Sequence, residues 1–129
     1  MGPPPRREPA FDAESEAYTL YRRGMAFLED RHPAQASMLL EKALQLEPGR
    51  NSIREALGRA EYALGRAGRA AQLFAAVVAD VPDNDYAHYA LARCLAETGH
   101  AGEARAHLRL ARALRPDSAI YGEGVAGID

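Results

Sequence analysis

The chain lacks most of what small domains use to hold themselves together covalently. Its 129 residues include one cysteine, Cys94, so no internal disulfide can form, a pattern expected of a cytoplasmic protein. Tryptophan is absent and Phe, Trp and Tyr together make up only 7% of the residues, while Ala is abundant. That mix suits closely packed helices better than a sandwich of β-branched strands. Apolar runs fall well short of the ~20 residues a membrane span needs, and the N-terminus has no apolar signal core. Lys42 is the only lysine, and the net charge of −2 is too small to imply a nucleic-acid or membrane partner. The Met1-Gly2 opening does not make a myristoylation signal either, because Arg6 stands where that motif wants Ser or Thr.

Catalytic signals are missing too. His32, His88, His100 and His107 are dispersed without zinc-ligand spacing, and no second cysteine accompanies Cys94. Cys94 lies near Leu91 and Leu95 and reads as a small buried residue, not a nucleophile. The glycines do not follow a strand, so they form no phosphate loop. The expectation is a protein that is not an enzyme and uses no cofactor or metal.

What the chain does have is a period. Pro48, Pro82 and Pro116 are each 34 residues apart, as are Ala36, Ala70 and Ala104, and Leu40, Phe74 and Leu108. Ala43, Val77 and Ala111 repeat the interval, and Gly24, Gly58 and Ala92 keep it upstream. Each period divides into two helices, expected over 13–30, 52–64 and 85–98 for the first of each pair and 34–46, 67–80 and 101–114 for the second. The three prolines stop the second helices, and Pro33 sits at a helix start, where its missing donor costs least. Asp12, Asn51 and Asn84 are the expected N-caps. Small residues on both helices of a pair let their backbones approach, so Gly24, Gly58 and Ala92 are expected to face Ala36, Ala70 and Ala104.

These residues resemble the tetratricopeptide repeat family, a helix–turn–helix of 34 residues, over about residues 17–118. The middle repeat matches best through Leu57-Gly58, Gly65, Ala70, Phe74 and Pro82. Leu91-Ala92, Gly99, Ala104, Leu108, Ala111 and Pro116 carry the third repeat, and Leu20, Gly24, Phe27, Ala36, Leu40, Ala43 and Pro48 the first. Arg23, Arg31, Arg54, Glu61 and His88 depart from the pattern. The resemblance implies an all-α fold, a superhelical solenoid of three helix-turn-helix repeats over 17–50, 51–84 and 85–118. A Pro-rich flexible lead-in over 1–11 precedes a domain spanning 12–118, and a Gly-rich tail over 119–129 follows it.

The resemblance also implies that the first helices line a concave groove that binds peptides or proteins. The residues expected there are Tyr18, Tyr21, Met25 and Leu28, then Ser52, Glu55, Arg59 and Tyr62, then Tyr86, Tyr89 and Arg93. Tyr and Arg are the residue types that dominate binding hot spots. Some members of the family hold chaperone C-termini with a Lys, Asn and Arg clamp; here the matching face carries Tyr21, Met25, Glu55 and Ala90, so that ligand is not expected. Arg105, Arg109 and Arg112 form a stripe on the last helix where the preceding repeat has Ala71, Ala75 and Val78. The stripe reads as a solvated end cap. The functional expectation is an adaptor or co-chaperone-like module binding another protein or peptide; the alternative is a self-associating assembly module, a weak homo-oligomer. Replacing Tyr89 and Arg93 by Ala is expected to cut binding without disturbing the fold.

Overall fold

The computed structural model describes residues 8–128. Its helices are α1 (Glu16–Glu29), α2 (Pro33–Leu46), α3 (Asn51–Ala63), α4 (Ala67–Asp80), α5 (Asp85–Glu97), α6 (Ala101–Leu114) and α7 (Ala119–Glu123). No strand occurs among the described residues. Pro33 opens α2, and α2, α4 and α6 each end two residues before a period proline.

Two of the expected caps are displaced. Asp12 does not cap α1: Ser15 does, its Oγ accepting from the Tyr18 N–H at 3.0 Å, while Asp12 Oδ1 accepts from the Glu14 N–H. Asn84 caps α5 as expected, accepting from the Ala87 N–H. Asn51 is instead the first residue of α3, and its N–H donates to Glu8 Oε1 at 2.7 Å. A carboxylate from the lead-in thus satisfies a donor that the helix start leaves unpaired, where negative charge is also favoured. Its neighbours are likewise engaged: Pro9 O accepts from Arg50, and Arg50 lies over the Phe11 ring at 4.3 Å. Residues 1–7 of the expected lead-in lie outside the described residues.

The turn inside each hairpin is the same. Arg31, Gly65 and Gly99 take φ of 62°, 79° and 83°, and the next residue donates back across the turn, as from His32 to Phe27 O, Arg66 to Glu61 O and His100 to Leu95 O. This is the left-handed helix stop that glycine adopts freely, so Arg31 is strained where its counterparts are not.

Each helix packs on the next along the chain, from α1 against α2 through to α6 against α7. The buried residues fall into clusters at successive junctions: Ala36, Leu40 and Leu57; Ala70, Phe74, Leu91 and Cys94; Ala104, Leu108, Val125 and Ile128. Cys94 is fully buried there, and burial pushes its thiol up to about 11. Close approach does occur at Gly24 and Gly58, but their partners differ from the expected alanines. A Cβ at Gly24 would meet Leu40 Cγ at 2.6 Å, and one at Gly58 would meet the Phe74 ring at 2.8 Å. The glycines make room for the large residue of the facing helix.

Two departures from the family pattern are held by polar contacts. Glu61, in an aromatic slot, is buried and accepts from Ser37 Oγ at 2.5 Å, with Arg66 at 3.3 Å. His88 is buried and stacked on His107, with Nδ1 atoms 3.0 Å apart, and its Nε2 donates to Pro82 O at 2.7 Å.

The tail continues the period. Asn51, Asp85 and Ala119 begin α3, α5 and α7 at intervals of 34 residues. Val125 falls in the column of Leu57 and Leu91, and Ile128 in that of Ala60 and Cys94. Both are buried against Ala92, Ala104 and Leu108. The tail therefore occupies the place of a fourth repeat's first helix, cut short when the chain reaches Gly124 at φ 85°. Tyr121 is buried and donates to Asp85 Oδ2 at 2.7 Å, whereas Ile120 is exposed. This corrects the reading of the arginine stripe. Arg105 donates to Ile128 O, and Arg112 to Tyr121 O and Gly122 O, so both hold the tail's carbonyls, while Arg109 stays exposed. In α1 the residue in the Leu57 column is Arg23, and it is exposed.

Candidate functional site

The faces of α1, α3 and α5 carry three adjoining pockets. Tyr21 and Met25 of α1, Ser52, Glu55 and Arg59 of α3, and Tyr86 of α5 line the first, of about 380 Å³. Arg59 and Tyr86 are shared with a second, of about 160 Å³, which adds Tyr62, Phe74, Ala90 and Arg93. Tyr62 and Arg93 are shared in turn with a third, of about 210 Å³, completed by Tyr89, Glu97 and the tail residues Gly124, Val125 and Ala126. The shared walls make one continuous groove that ends against the tail.

The helical repeat explains why these residues meet. Glu55 and Arg59 are one turn apart on α3, as are Tyr89, Arg93 and Glu97 on α5, and a 34-residue step carries Arg59 onto Arg93. The Arg93 guanidinium lies 4.4 Å from the Tyr62 ring centre and 5.8 Å from that of Tyr89. Stacking of this kind holds the charge in place without removing its donors. Tyr62 donates to Glu97 Oε1 at 2.6 Å; burial, then that bond, raises its pKa above the usual phenol value. Burial likewise raises Tyr86, which meets Phe74 edge-on at 6.1 Å. Glu55 accepts from Asn84 Nδ2 at 2.7 Å, yet burial outweighs that bond and the nearby Arg59 and raises its pKa.

Of the residues expected in the groove, Tyr21, Met25, Ser52, Glu55, Arg59, Tyr62, Tyr86, Tyr89 and Arg93 line the pockets. Tyr18 does not: it packs edge-on against Phe11 at 5.2 Å, and the same Phe11 covers part of Tyr21 at 5.4 Å. Leu28 packs against the α2–α3 core. Tyr89 has a second role, its ring 5.0 Å from Tyr121 beside the last core cluster. Replacing it would loosen the tail, so the pair Tyr89 and Arg93 does not separate binding from folding. Phe74, Asn84, Glu97 and the tail were not expected at the site. Glu97 was discoverable, standing one turn beyond Arg93; Phe74 was assigned wholly to the core.

Among the described residues no group of three His, Cys, Asp or Glu side chains could hold a metal ion, and no helix is long and apolar enough to cross a membrane.

Three stacked helical hairpins with a groove along their first helices define a repeat scaffold, and the sequence places it. Tetratricopeptide repeat family models match residues 21–85 and 61–126, and the chain belongs to that family. No curated protein matches it. Among solved structures it is similar to YrrB, described as a TPR protein with an unusual peptide-binding site, at TM-score 0.79 and 22% identity. That match covers 84% of this chain and 56% of the YrrB chain, so this chain spans little more than half of that relative. The first TPR of Spaghetti (RPAP3) bound to the HSP90 peptide SRMEEVD gives TM-score 0.81 at 15% identity, covering 88% of this chain and 90% of that one. The Yersinia enterocolitica type III secretion chaperone SycD with a peptide of the translocator YopD gives 0.74 at 18%, covering 88% and 87%.

Proposed function

We propose that the protein is an adaptor or co-chaperone-like module of the cytoplasm that holds a peptide segment or helix of a partner protein in the groove of α1, α3 and α5. The observation that carries this reading is the continuity of the pockets from Tyr21 to the tail, walled by Tyr62, Tyr86, Arg59 and Arg93. Aromatic walls bury apolar side chains of the segment, and the two arginines orient its carboxylate or carbonyl oxygens. The peptide complexes among the similar structures support the reading by analogy of scaffold. Those relatives, at 15% and 18% identity, do not specify the ligand.

Panning a displayed random-peptide library against the protein tests this. Selected peptides should lose about tenfold or more in affinity for an Arg59→Ala/Tyr62→Ala variant, the scale of a lost hot spot. Equal binding to the variant would remove the groove from consideration. Self-association is the alternative. Its one supporting observation is that Leu110 and Leu114, one turn apart on α6, are both exposed. Mass by light scattering that rises with concentration would favour it.

A further inference from the structure

The first pocket differs in character from its neighbours. Its wall carries the half-buried carboxylate of Glu55 beside Tyr21, Met25 and Tyr86, with Arg59 at the border it shares with the next pocket. Asn84 fixes that carboxylate firmly: its Oδ1 is committed to capping α5 through the Ala87 N–H, so its amide hydrogens face Glu55. Asn84 is the only hydrogen-bond partner of Glu55 among the described residues, and Arg59, one turn away, makes no ion pair with it there. The groove therefore keeps a carboxylate partly dehydrated and incompletely partnered, and burial already makes its charge costly.

An incoming cation would relieve that cost. Aromatic faces and a thioether accept the alkyl stem of a long basic side chain, and a carboxylate accepts its charged head. The next pocket shares Arg59 with the first, adds Arg93 and has no carboxylate on its walls, so its sign is the opposite one. A basic side chain is repelled there and an acidic one is favoured.

Resting on the groove reading, we propose that the pocket between α1 and α3 takes a Lys or Arg side chain of the bound segment, with Glu55 as its counter-ion. The partner is then a segment that places a basic residue beside Glu55 and an acidic one toward Arg59 and Arg93.

The test uses short fluorescein-labelled peptides, blocked at both ends, with one Lys and one Glu spaced to span adjoining pockets in either order. Matched peptides carry norleucine in place of Lys, which keeps the stem and removes the charge. Fluorescence anisotropy with the full chain should show one Lys peptide binding about tenfold tighter than its norleucine match. Glu55→Gln, which keeps an acceptor for Asn84, should erase that difference with the thermal melt unchanged, and Glu55→Lys should reverse it. Equal binding of Lys and norleucine peptides to the wild type overturns the proposal while leaving the groove standing. So does a Lys preference that survives Glu55→Gln. If no peptide binds at all, the groove reading falls and this proposal falls with it.

Discussion

Gly58→Ala sets two effects of known size against each other. Gly58 is buried within α3, where Ala is worth about 1 kcal/mol more than Gly in an unhindered helix interior. The added methyl would lie 2.8 Å from both Cε2 and Cζ of Phe74, about 0.6 Å inside an ordinary 3.4 Å contact. Phe74 is only 2% exposed and meets Tyr86 edge-on, so its ring has nowhere to retreat without moving a groove wall. Overpacking of this kind costs about 1–3 kcal/mol, and the ring's confinement puts it toward the upper end. The expected net loss is about 1–2 kcal/mol, a fall in melting temperature of roughly 3–8 °C for a domain of this size. Thermal denaturation followed by circular dichroism reads it directly. Gly68→Ala is the control, since its Cβ meets nothing within 4 Å and should be neutral or slightly stabilising. Gly58→Ala/Phe74→Leu should recover part of the loss. A Gly58→Ala protein as stable as the wild type, or more so, would refute the close approach of α3 to α4.

Arg31→Gly should stabilise the protein by about 1 kcal/mol, because the residue sits at φ 62° where the other two hairpins use glycine; urea denaturation checks it. His107 has a pKa below the ordinary histidine value of 6.5, lowered first by burial and then by His88, with Glu103 opposing. Above that value the ring is neutral in both states and contributes nothing. As pH falls below it, the unfolded chain takes up the proton first, so stability should fall with it, and His107→Gln should flatten that slope. Val125→Ser/Ile128→Ser should expose the last core cluster, speeding amide hydrogen exchange in α6 while leaving α1 and α2 protected.

The repeat was legible because each of its columns is governed by a single packing demand: a small residue where helices approach, a large one opposite, a proline after the second helix. The same columns explain what was not legible. Gly122, Gly124 and Gly127 read as helix breakers, and they conceal that Val125 and Ile128 still answer to the column of Leu57 and the column of Ala60. Buried contacts, not helix propensity, hold the tail in place, and propensity alone left open whether it folds back or stays loose. Glu61 and His88 looked like defects because their partners lie outside their own helices, Ser37 and His107 on other helices and Arg66 in the turn after α3. For the groove, helical spacing placed the tyrosines and arginines on one face. It had no means of showing that Phe11 covers Tyr18 or that Tyr89 leans on Tyr121. Those contacts depend on how segments outside the repeats fold back.

The most direct measurement is a titration of the isotopically labelled protein with a selected peptide, followed by backbone amide NMR. Perturbed amides should cluster on α1, α3 and α5 around Tyr21, Glu55, Arg59, Tyr62, Tyr86 and Arg93, fading at the tail. Perturbations gathered instead on α2, α4 and α6, around Met38, Leu46 and Leu110, would contradict the groove as the binding surface.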